Sequence, residues 1–197
     1  MVRTCICIRN RRTEAIRYAI ALLAGGFALP VAWYALGAAD TGIDGARSTL
    51  VVTYRQENVP VDAPFKRFSG HISYDPAQPA SARASLEVIT GSLDLGAEDY
   101  NAEVRKKDWL DSGTYATATF SSTAIRPGMP GHFDATGTLT LKGRTQTLTV
   151  PVVVGKAGSA TSFDGELTIS RAYFGIGSAD WNDVLDDKVR IRFHIVE

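Results

Sequence analysis

The sequence predicts an all-β domain of eight antiparallel strands, arranged as a barrel or as a sandwich. The first observation is strict alternation between Phe133 and Leu141, where every second residue is apolar or small and polar residues lie between them. The second is that Gly137 occupies the apolar phase of this strand, as Gly70 and Gly165 do in two others. The third is that such segments follow one another at short intervals, mostly separated by turn residues.

Apolar or small residues two positions apart define each predicted strand, because such residues share one face of a strand. Lys142-Gly143 predicts a tight hairpin between the fifth and sixth strands. Pro151, in the opposite phase of the sixth, predicts an edge or bulge position. The charged stretch 98–110 predicts a short helical insertion across an open end. In chain order the alternating positions are Leu50, Val52 and Tyr54; Phe68, Gly70, Ile72 and Tyr74; Leu86, Val88 and Thr90; Ala116, Ala118, Phe120 and Ser122; Phe133 to Leu141; Leu148, Val150, Val152 and Val154; Phe163, Gly165, Leu167 and Ile169; Val189, Ile191, Phe193 and Ile195.

The inward glycines have two explanations, which the sequence leaves open. Glycine removes a side chain from the inner face and so leaves room there, or it lets a strand bend at a barrel corner. Both effects can act together. Eight-stranded barrels have interiors just wide enough to be filled by side chains or to hold one small ligand, and the inward glycines favour a ligand.

Four segments are predicted along the chain. Residues 1–17 form a basic arm, 18–39 a transmembrane anchor or a signal peptide, 40–46 a linker, and 47–197 the β domain. The uncharged stretch 18–39 is long enough to span a bilayer as a helix, and the arginine-rich arm precedes it as the positive-inside rule expects. Small residues at 37–39 would also suit cleavage. Both interpretations predict a periplasmic domain, either anchored on that side of the cytoplasmic membrane or secreted.

Charge and cysteine usage exclude several classes of function. The formal net charge of the whole chain is zero, and the arginines concentrated in the basic arm leave the β domain acidic. An acidic domain without a basic stripe is a poor nucleic-acid binder, so we expect no nucleic-acid partner. Cys5 and Cys7 both lie in the arm, so the β domain has neither a disulfide framework nor a thiolate metal site.

The remaining titratable residues show no catalytic pattern. His71, His132 and His194 lie in the polar phase of separate strands and are predicted to point outward. No nucleophile elbow, phosphate loop or metalloprotease motif is present in the sequence. We therefore expect no catalytic residue, no metal site, no cofactor and no enzymatic activity. Two acidic clusters are best explained as solvated loop charges: Asp94, Glu98, Asp99 and Glu103, and Asp180, Asp183, Asp186 and Asp187.

Four stretches in this order resemble motifs of the YceI-like family, over about residues 46–197 in all. The family shows an acidic-aromatic pair before a Tyr-Pro-x-Ala-x-Phe strand, a Gly-x-Leu-Thr hairpin with the strand that follows it, and an Arg-x-x-Phe-Gly-Ile-Gly segment. The closing residues are similar to members found beside cytochrome b561. The stretches here are 107–111 with 115–120, 137–143, 146–150 and 171–177.

The resemblance implies a lipocalin-like eight-stranded antiparallel barrel with an elongated apolar tunnel. Family members bind long polyisoprenoid chains, such as a quinone tail; they are typically exported, and some are dimers, so a homodimer is among the expectations. Two departures are visible. Ala116 replaces the usual proline, and Glu103, followed by Val104, stands where many members carry histidine. A head-group contact by that histidine cannot be carried over to this chain.

The sequence therefore favours a protein that binds or carries a long-chain isoprenoid lipid or quinone. One alternative is an accessory subunit that docks on a membrane redox system of the cytochrome b561 type. Another is an enzyme that uses the carboxylates near Asp183 and Asp186. The candidate tunnel-lining residues are the large inward apolar side chains Phe68, Ile72, Leu86, Val88, Trp109, Phe120, Phe133, Leu139, Leu148, Phe163, Leu167, Phe174, Trp181, Ile191 and Phe193.

Overall fold

The structure is a computed structural model that describes residues 40–197. This part of the chain is almost entirely β-structure, as the alternation predicts. The helix α1 spans Glu98–Val104, and 3₁₀ turns span Pro79–Ser81, Thr90–Ser92 and Ala179–Trp181. The strands are β1 (Asp40–Gly42), β2 (Thr49–Gln56), β3 (Val59–Pro64), β4 (Phe68–Ser73), β5 (Arg83–Ile89), β6 (Thr117–Pro127), β7 (His132–Leu141), β8 (Arg144–Ala157), β9 (Ala160–Ser170) and β10 (Lys188–Val196).

All the strands form one antiparallel sheet in the order β1-β4-β5-β6-β7-β8-β9-β10-β2-β3. The sheet curls until β4 and β10 approach one connecting segment. The backbone N–H of Ile43 donates to the Gly70 carbonyl of β4 at 3.2 Å, and that of Asp44 donates to the Val196 carbonyl of β10 at 2.7 Å. One face of the sheet therefore lines its interior, and the other meets solvent.

The expected count of eight strands is wrong, because the described residues contain a 10-stranded sheet. All eight expected strands are present, and β1 and β3 are additional. β3 contains Pro60 and Pro64, which interrupt the apolar alternation, and it lies at the sheet edge where proline is tolerated. β1 covers the first three residues of the stretch 40–46 and pairs with β4.

The helical insertion is shorter than the stretch 98–110 predicts. α1 ends at Val104, and turns follow, in which the Lys106 N–H donates to the Glu103 carbonyl and the Trp109 N–H donates to the Lys106 carbonyl. Asp111, with a φ of 47°, reverses the chain toward β6. A short helix is thus confirmed, and the charged residues after it form turns.

Pro151 occupies a local edge within the sheet. It pairs with Asp134 of β7, but β8 begins to pair with β9 only at Val152, opposite Gly165. The missing N–H of proline therefore costs no bond to β9, which confirms the edge interpretation. The irregularity in the ladder lies instead on β6, beside Ser122.

The curled sheet has two different ends. At the helix end, β2 finishes beside the turn around Trp181, where Gln56 forms a bridge with Leu185. At the far end, three aromatic rings pack edge-on: Tyr74 lies 5.9 Å from Phe133 and 5.6 Å from Phe163 between ring centroids. The helix end carries turns and polar side chains, whereas these rings pack together at the far end.

No helix among the described residues is both long and apolar enough to cross a bilayer. The predicted basic arm, the predicted anchor or signal peptide at 18–39 and both cysteines lie outside the described residues. What the sequence predicts for these residues therefore stays a prediction.

Candidate functional site

A cavity of about 650 Å³ lies inside the curled sheet. Its wall takes side chains from every strand from β2 to β10, and most of them are aliphatic or aromatic. Sites for small molecules commonly have volumes of roughly 300–1,000 Å³, so this cavity has a suitable size. With so few polar groups in its wall, it can hold a ligand chiefly by removing apolar surface from water.

The cavity runs along the strands. On β7 its wall extends from Phe133 to Leu141, and on β9 from Phe163 to Ile169. At about 3.3 Å per residue, the β7 part covers roughly 26 Å of strand, or roughly 20 Å along the axis for the usual strand tilt of a barrel. An elongated cavity of this kind fits a chain-like ligand better than a compact one.

Side chains in the middle of the inner face are only partly buried. Leu86, Phe120, Leu139, Leu167 and Ile191 all point inward, yet each keeps intermediate exposure. In an interior packed at native density, such residues would lose their remaining accessible surface. Their exposure therefore arises from the open cavity, and the inner face is not a filled core.

Most of the predicted tunnel-lining residues lie on this wall. Phe68, Leu148 and Phe174 are not on the wall of this cavity. Phe68 and Leu148 pack against the core, and Phe174 is 0 % exposed within it, because it lies in the turn after β9 rather than on a strand face. Those placed on the wall are Ile72, Leu86, Val88, Trp109, Phe120, Phe133, Leu139, Phe163, Leu167, Trp181, Ile191 and Phe193.

The inward glycines admit neighbouring groups instead of leaving empty space. A Cβ at Gly165 would lie less than 3.0 Å from the Phe193 ring, and one at Gly137 less than 3.0 Å from the Phe120 ring. At Gly70 the close neighbour is the backbone carbonyl of the adjacent strand. The glycines thus allow close approach of rings and backbone, a third explanation beside bending and open space.

Polar and charged side chains gather at the helix end of the cavity. Gln56, Glu103 and Asp186 contribute to its wall there. The Arg55 Nε lies 3.5 Å from an Asp186 carboxylate oxygen, and the Lys106 Nζ lies 2.5 Å from a Glu103 carboxylate oxygen. Each wall carboxylate is therefore balanced by a cation outside the cavity.

Arg171 is the buried charge of this end, with only 4 % exposure. Its Nε donates to the Asp186 carbonyl at 3.1 Å and its Nη1 to the Ile176 carbonyl at 3.1 Å. Its Nη2 donates to the Asn182 side-chain oxygen at 2.9 Å and to the Leu185 carbonyl at 3.0 Å. One guanidinium thus ties together the segment 176–186, which carries several wall residues.

Two wall residues have shifted acidities. The ammonium of Lys106 donates to the Glu103 carboxylate and lowers the pKa of that group below its usual value. Burial raises the pKa of the Tyr54 hydroxyl, and the nearby Tyr100 hydroxyl raises it further. At neutral pH Glu103 is therefore an anion, and Tyr54 is a neutral hydrogen-bonding group on an otherwise apolar wall.

Comparison with known proteins identifies the family. The model of the YceI-like domain matches residues 42–196. The chain belongs to the YceI-like family. A UPF0312 protein of Shewanella sp. strain MR-7 is 32% identical over 180 residues, which are 85% of this chain and 93% of the relative. A UPF0312 protein of Vibrio cholerae is 29% identical over 156 residues, 73% of this chain and 80% of the relative.

Two solved structures share the fold. The crystal structure of BcnA from Burkholderia cenocepacia has a TM-score of 0.76 and 41% identity, covering 79% of this chain and 99% of BcnA. A polyisoprenoid binding domain from Saccharophagus degradans, implicated in plant cell wall breakdown, has a TM-score of 0.63 and 17% identity, covering 79% of this chain and 95% of that chain. Nearly the whole BcnA chain is thus matched by about four fifths of this chain.

The structure keeps the predicted histidines apart. His71, His132 and His194 lie on β4, β7 and β10, and none of them is on the cavity wall. His194 Nδ1 lies 2.6 Å from an Asp164 carboxylate oxygen on the outer face. Among the described residues no group of three or more His, Cys, Asp or Glu side chains could hold a metal ion. Asp183 and Asp186 are exposed at the helix end.

Sequence reasoning missed several residues of the site. Tyr54, Tyr100 and Arg171 all lie on the cavity wall, although none was proposed as a lining residue. Tyr54 shares the inward phase of Leu50 and Val52, so its strand periodicity could have placed it. Tyr100 and Arg171 lie in the helix and after β9, where alternation gives no signal.

Proposed function

We propose that this YceI-like protein binds and carries a long-chain isoprenoid lipid or quinone, outside the cytoplasmic membrane. The observation that supports this most directly is the long apolar cavity of about 650 Å³ within the sheet. Such a cavity offers a chain of carbon atoms continuous apolar contact and almost no polar competition. A catalytic role has no comparable support.

The energetics favour a long apolar ligand. Each buried carbon of CH₂ size contributes about 0.8 kcal/mol, so one five-carbon isoprene unit contributes roughly 3 kcal/mol before ordering costs. Several units would then give tight binding without a specific polar contact, even after losses of ligand freedom. The intermediate exposure of wall residues such as Leu139 and Leu167 leaves this apolar surface available.

The relatives support the same proposal. The Saccharophagus degradans neighbour, which shares the fold, is a polyisoprenoid binding domain. The location outside the cytoplasmic membrane rests on the sequence: the arginine-rich arm and the uncharged stretch 18–39 suit either an anchor or a cleaved signal peptide. Protease digestion of the β domain in intact spheroplasts would support that location, and full protection would contradict it.

Lipid analysis of the native protein tests the function. The protein is purified without added lipid, extracted with organic solvent and examined by mass spectrometry. Leu139→Trp and Leu167→Trp each place a larger ring in the cavity and are expected to reduce the extracted isoprenoid. Val153→Trp is the matched control, because Val153 lies on the outer face of β8 and is 43% exposed.

The lipid analysis has one outcome that supports the proposal and one that overturns it. Loss of lipid from the two cavity variants, with the Val153→Trp protein unchanged, supports carriage in the cavity. A native protein that is free of lipid and also fails to take up a polyprenyl quinone would overturn the proposal.

A further inference from the structure

Exposed aromatic residues surround the helix end of the cavity. Tyr100 of α1 is 65% exposed and Trp181 is 40% exposed, yet both also contribute to the cavity wall. A large side chain that touches both the cavity and the solvent marks the place where the two meet. The helix end is therefore the mouth of the cavity.

Contacts join these residues into one surface. The Trp181 ring lies 5.2 Å from the Trp109 ring, and Trp109 interacts with Glu103 of α1. The Glu57 N–H donates to the Val184 carbonyl at 2.8 Å, which holds the β2–β3 hairpin against the same turn. That hairpin carries Val59.

Val59 adds a third large apolar side chain to this end, with 60% exposure. Val59, Tyr100 and Trp181 together form what we call the mouth patch. Its members come from three separate segments at the helix end, and two of them, Tyr100 and Trp181, also line the cavity. At the far end the rings of Tyr74, Phe133 and Phe163 pack edge-on, and among the described residues no exposed large apolar side chain of that end lines the cavity.

The charges around the mouth patch are largely arranged as pairs. Besides the Arg55–Asp186 and Lys106–Glu103 pairs, Arg105 Nη1 lies 3.0 Å from a Glu98 carboxylate oxygen. Asp180 and Asp183, which flank Trp181, have no basic partner within the described residues. Glu57 and Asp99, near Val59 and next to Tyr100, likewise have no ion pair within the described residues, so the rim combines close opposite charges with an acidic excess.

We infer that the mouth patch docks on the surface of a zwitterionic lipid bilayer, from which the cavity takes its ligand. Tyrosine and tryptophan suit this position, since their amphipathic rings favour the boundary between lipid and water. Paired rim charges match zwitterionic head groups, whereas the acidic excess at Asp180 and Asp183 opposes an anionic surface. The inference rests on the proposed function, because it supplies the route by which a lipid reaches the cavity.

Fluorescence quenching tests the docking. In the full chain, Trp33→Phe and Trp109→Phe leave Trp181 as the sole tryptophan, and circular dichroism checks the fold. We expect vesicles of brominated phosphatidylcholine to quench Trp181 and to shift its emission to the blue. Residues 40–197, which contain the whole family match at 42–196, are measured in parallel so that an N-terminal anchor cannot decide the result.

Matched variants localise the contact. Met129, 70% exposed in the turn between β6 and β7 at the far end, is the control position. A protein whose sole tryptophan comes from Met129→Trp should not be quenched. Tyr100→Ser and Val59→Ser should each weaken the quenching of Trp181, and Met129→Ser should leave it unchanged. Replacing part of the phosphatidylcholine by phosphatidylglycerol should reduce quenching at low salt.

The inference fails if Trp181 is not quenched, if tryptophan at position 129 is quenched equally, or if anionic lipid increases the effect. Its failure can be told from that of the proposed function. If the protein yields isoprenoid on extraction but Trp181 is not quenched, the proposed function stands and the docking inference is wrong. If Trp181 is quenched but the protein never holds isoprenoid, the protein docks on the bilayer and the proposed function is wrong.

Discussion

Replacing Arg171 by methionine should destabilise the β domain far more than replacing any exposed arginine. Methionine keeps the length and much of the volume of the side chain but removes the charge and every N–H donor. The acceptors it abandons are the carbonyls of Ile176, Leu185 and Asp186 and the amide oxygen of Asn182. All of them lie in the segment that builds the helix end of the cavity.

The expected loss follows from these contacts. A buried acceptor left without a partner costs about 1–3 kcal/mol, so the abandoned acceptors together set a ceiling of roughly 4–12 kcal/mol if none is rehydrated. Part of the segment is exposed, and water can reach some of the carbonyls once the guanidinium is gone. Removing one partner from a buried charged network typically costs about 3–5 kcal/mol, and we expect Arg171→Met to fall in this range.

Urea denaturation at pH 7, followed by circular dichroism, measures the free energy of unfolding. Arg190→Met is the matched control: Arg190 pairs with Glu166 at 3.4 Å, but the two side chains are 55% and 48% exposed, so the loss should be at most about 1 kcal/mol. Arg171→Lys should recover only part of the stability, because lysine has one donor atom and no planar fork. A loss below about 1 kcal/mol for Arg171→Met, similar to that of the control, would refute the reasoning.

Two further predictions concern the glycines and the acid range. Gly165→Ala should lower the free energy of unfolding by about 1–3 kcal/mol, because the new Cβ would press on the Phe193 ring and the Pro151 carbonyl. Gly45→Ala is the control and should be nearly neutral, since nothing lies within 4 Å of its Cβ position. Equal effects of the two substitutions in thermal unfolding would contradict this prediction. Hydrogen bonds from the Gly96 N–H and Asn101, together with Lys66, lower the pKa of Asp94. The folded state therefore binds fewer protons, so stability is present above the unfolded pKa of about 3.9 and is lost as pH falls through the lower folded value. Asp94→Asn should flatten that acid dependence, and an unchanged curve of unfolding free energy against pH would contradict the assignment.

The strands could be predicted from the sequence because alternating apolar residues indicate which face of a strand is buried. This alternation placed eight of the strands and put residues such as Phe120, Leu139 and Ile191 on the inner face, where the structure shows them. It missed β3, since Pro60 and Pro64 break the pattern at a sheet edge that needs fewer hydrogen bonds. It gives no information on Phe174, which lies in the turn after β9.

The inward glycines show the limit of a pattern. The sequence shows that Gly137 and Gly165 have no side chain, but it does not show which neighbouring group occupies the space beside them. The answer depends on Phe120 and Phe193, which approach from adjacent strands. Ligand contact by the lining residues, the membrane segment at 18–39 and a homodimer remain predictions.

The sequence by itself determined an all-β domain with one apolar face and identified its family, because both are properties of residue order: period-two alternation and short motifs. Only the tertiary structure decided that the apolar face encloses a cavity, that Arg171 clamps one end of it, and that Tyr100 and Trp181 stand at its mouth. These features depend on how a sheet curls and on which distant segments then meet. Curvature and long-range contact are set by the packing of the whole chain, so no local pattern reports them.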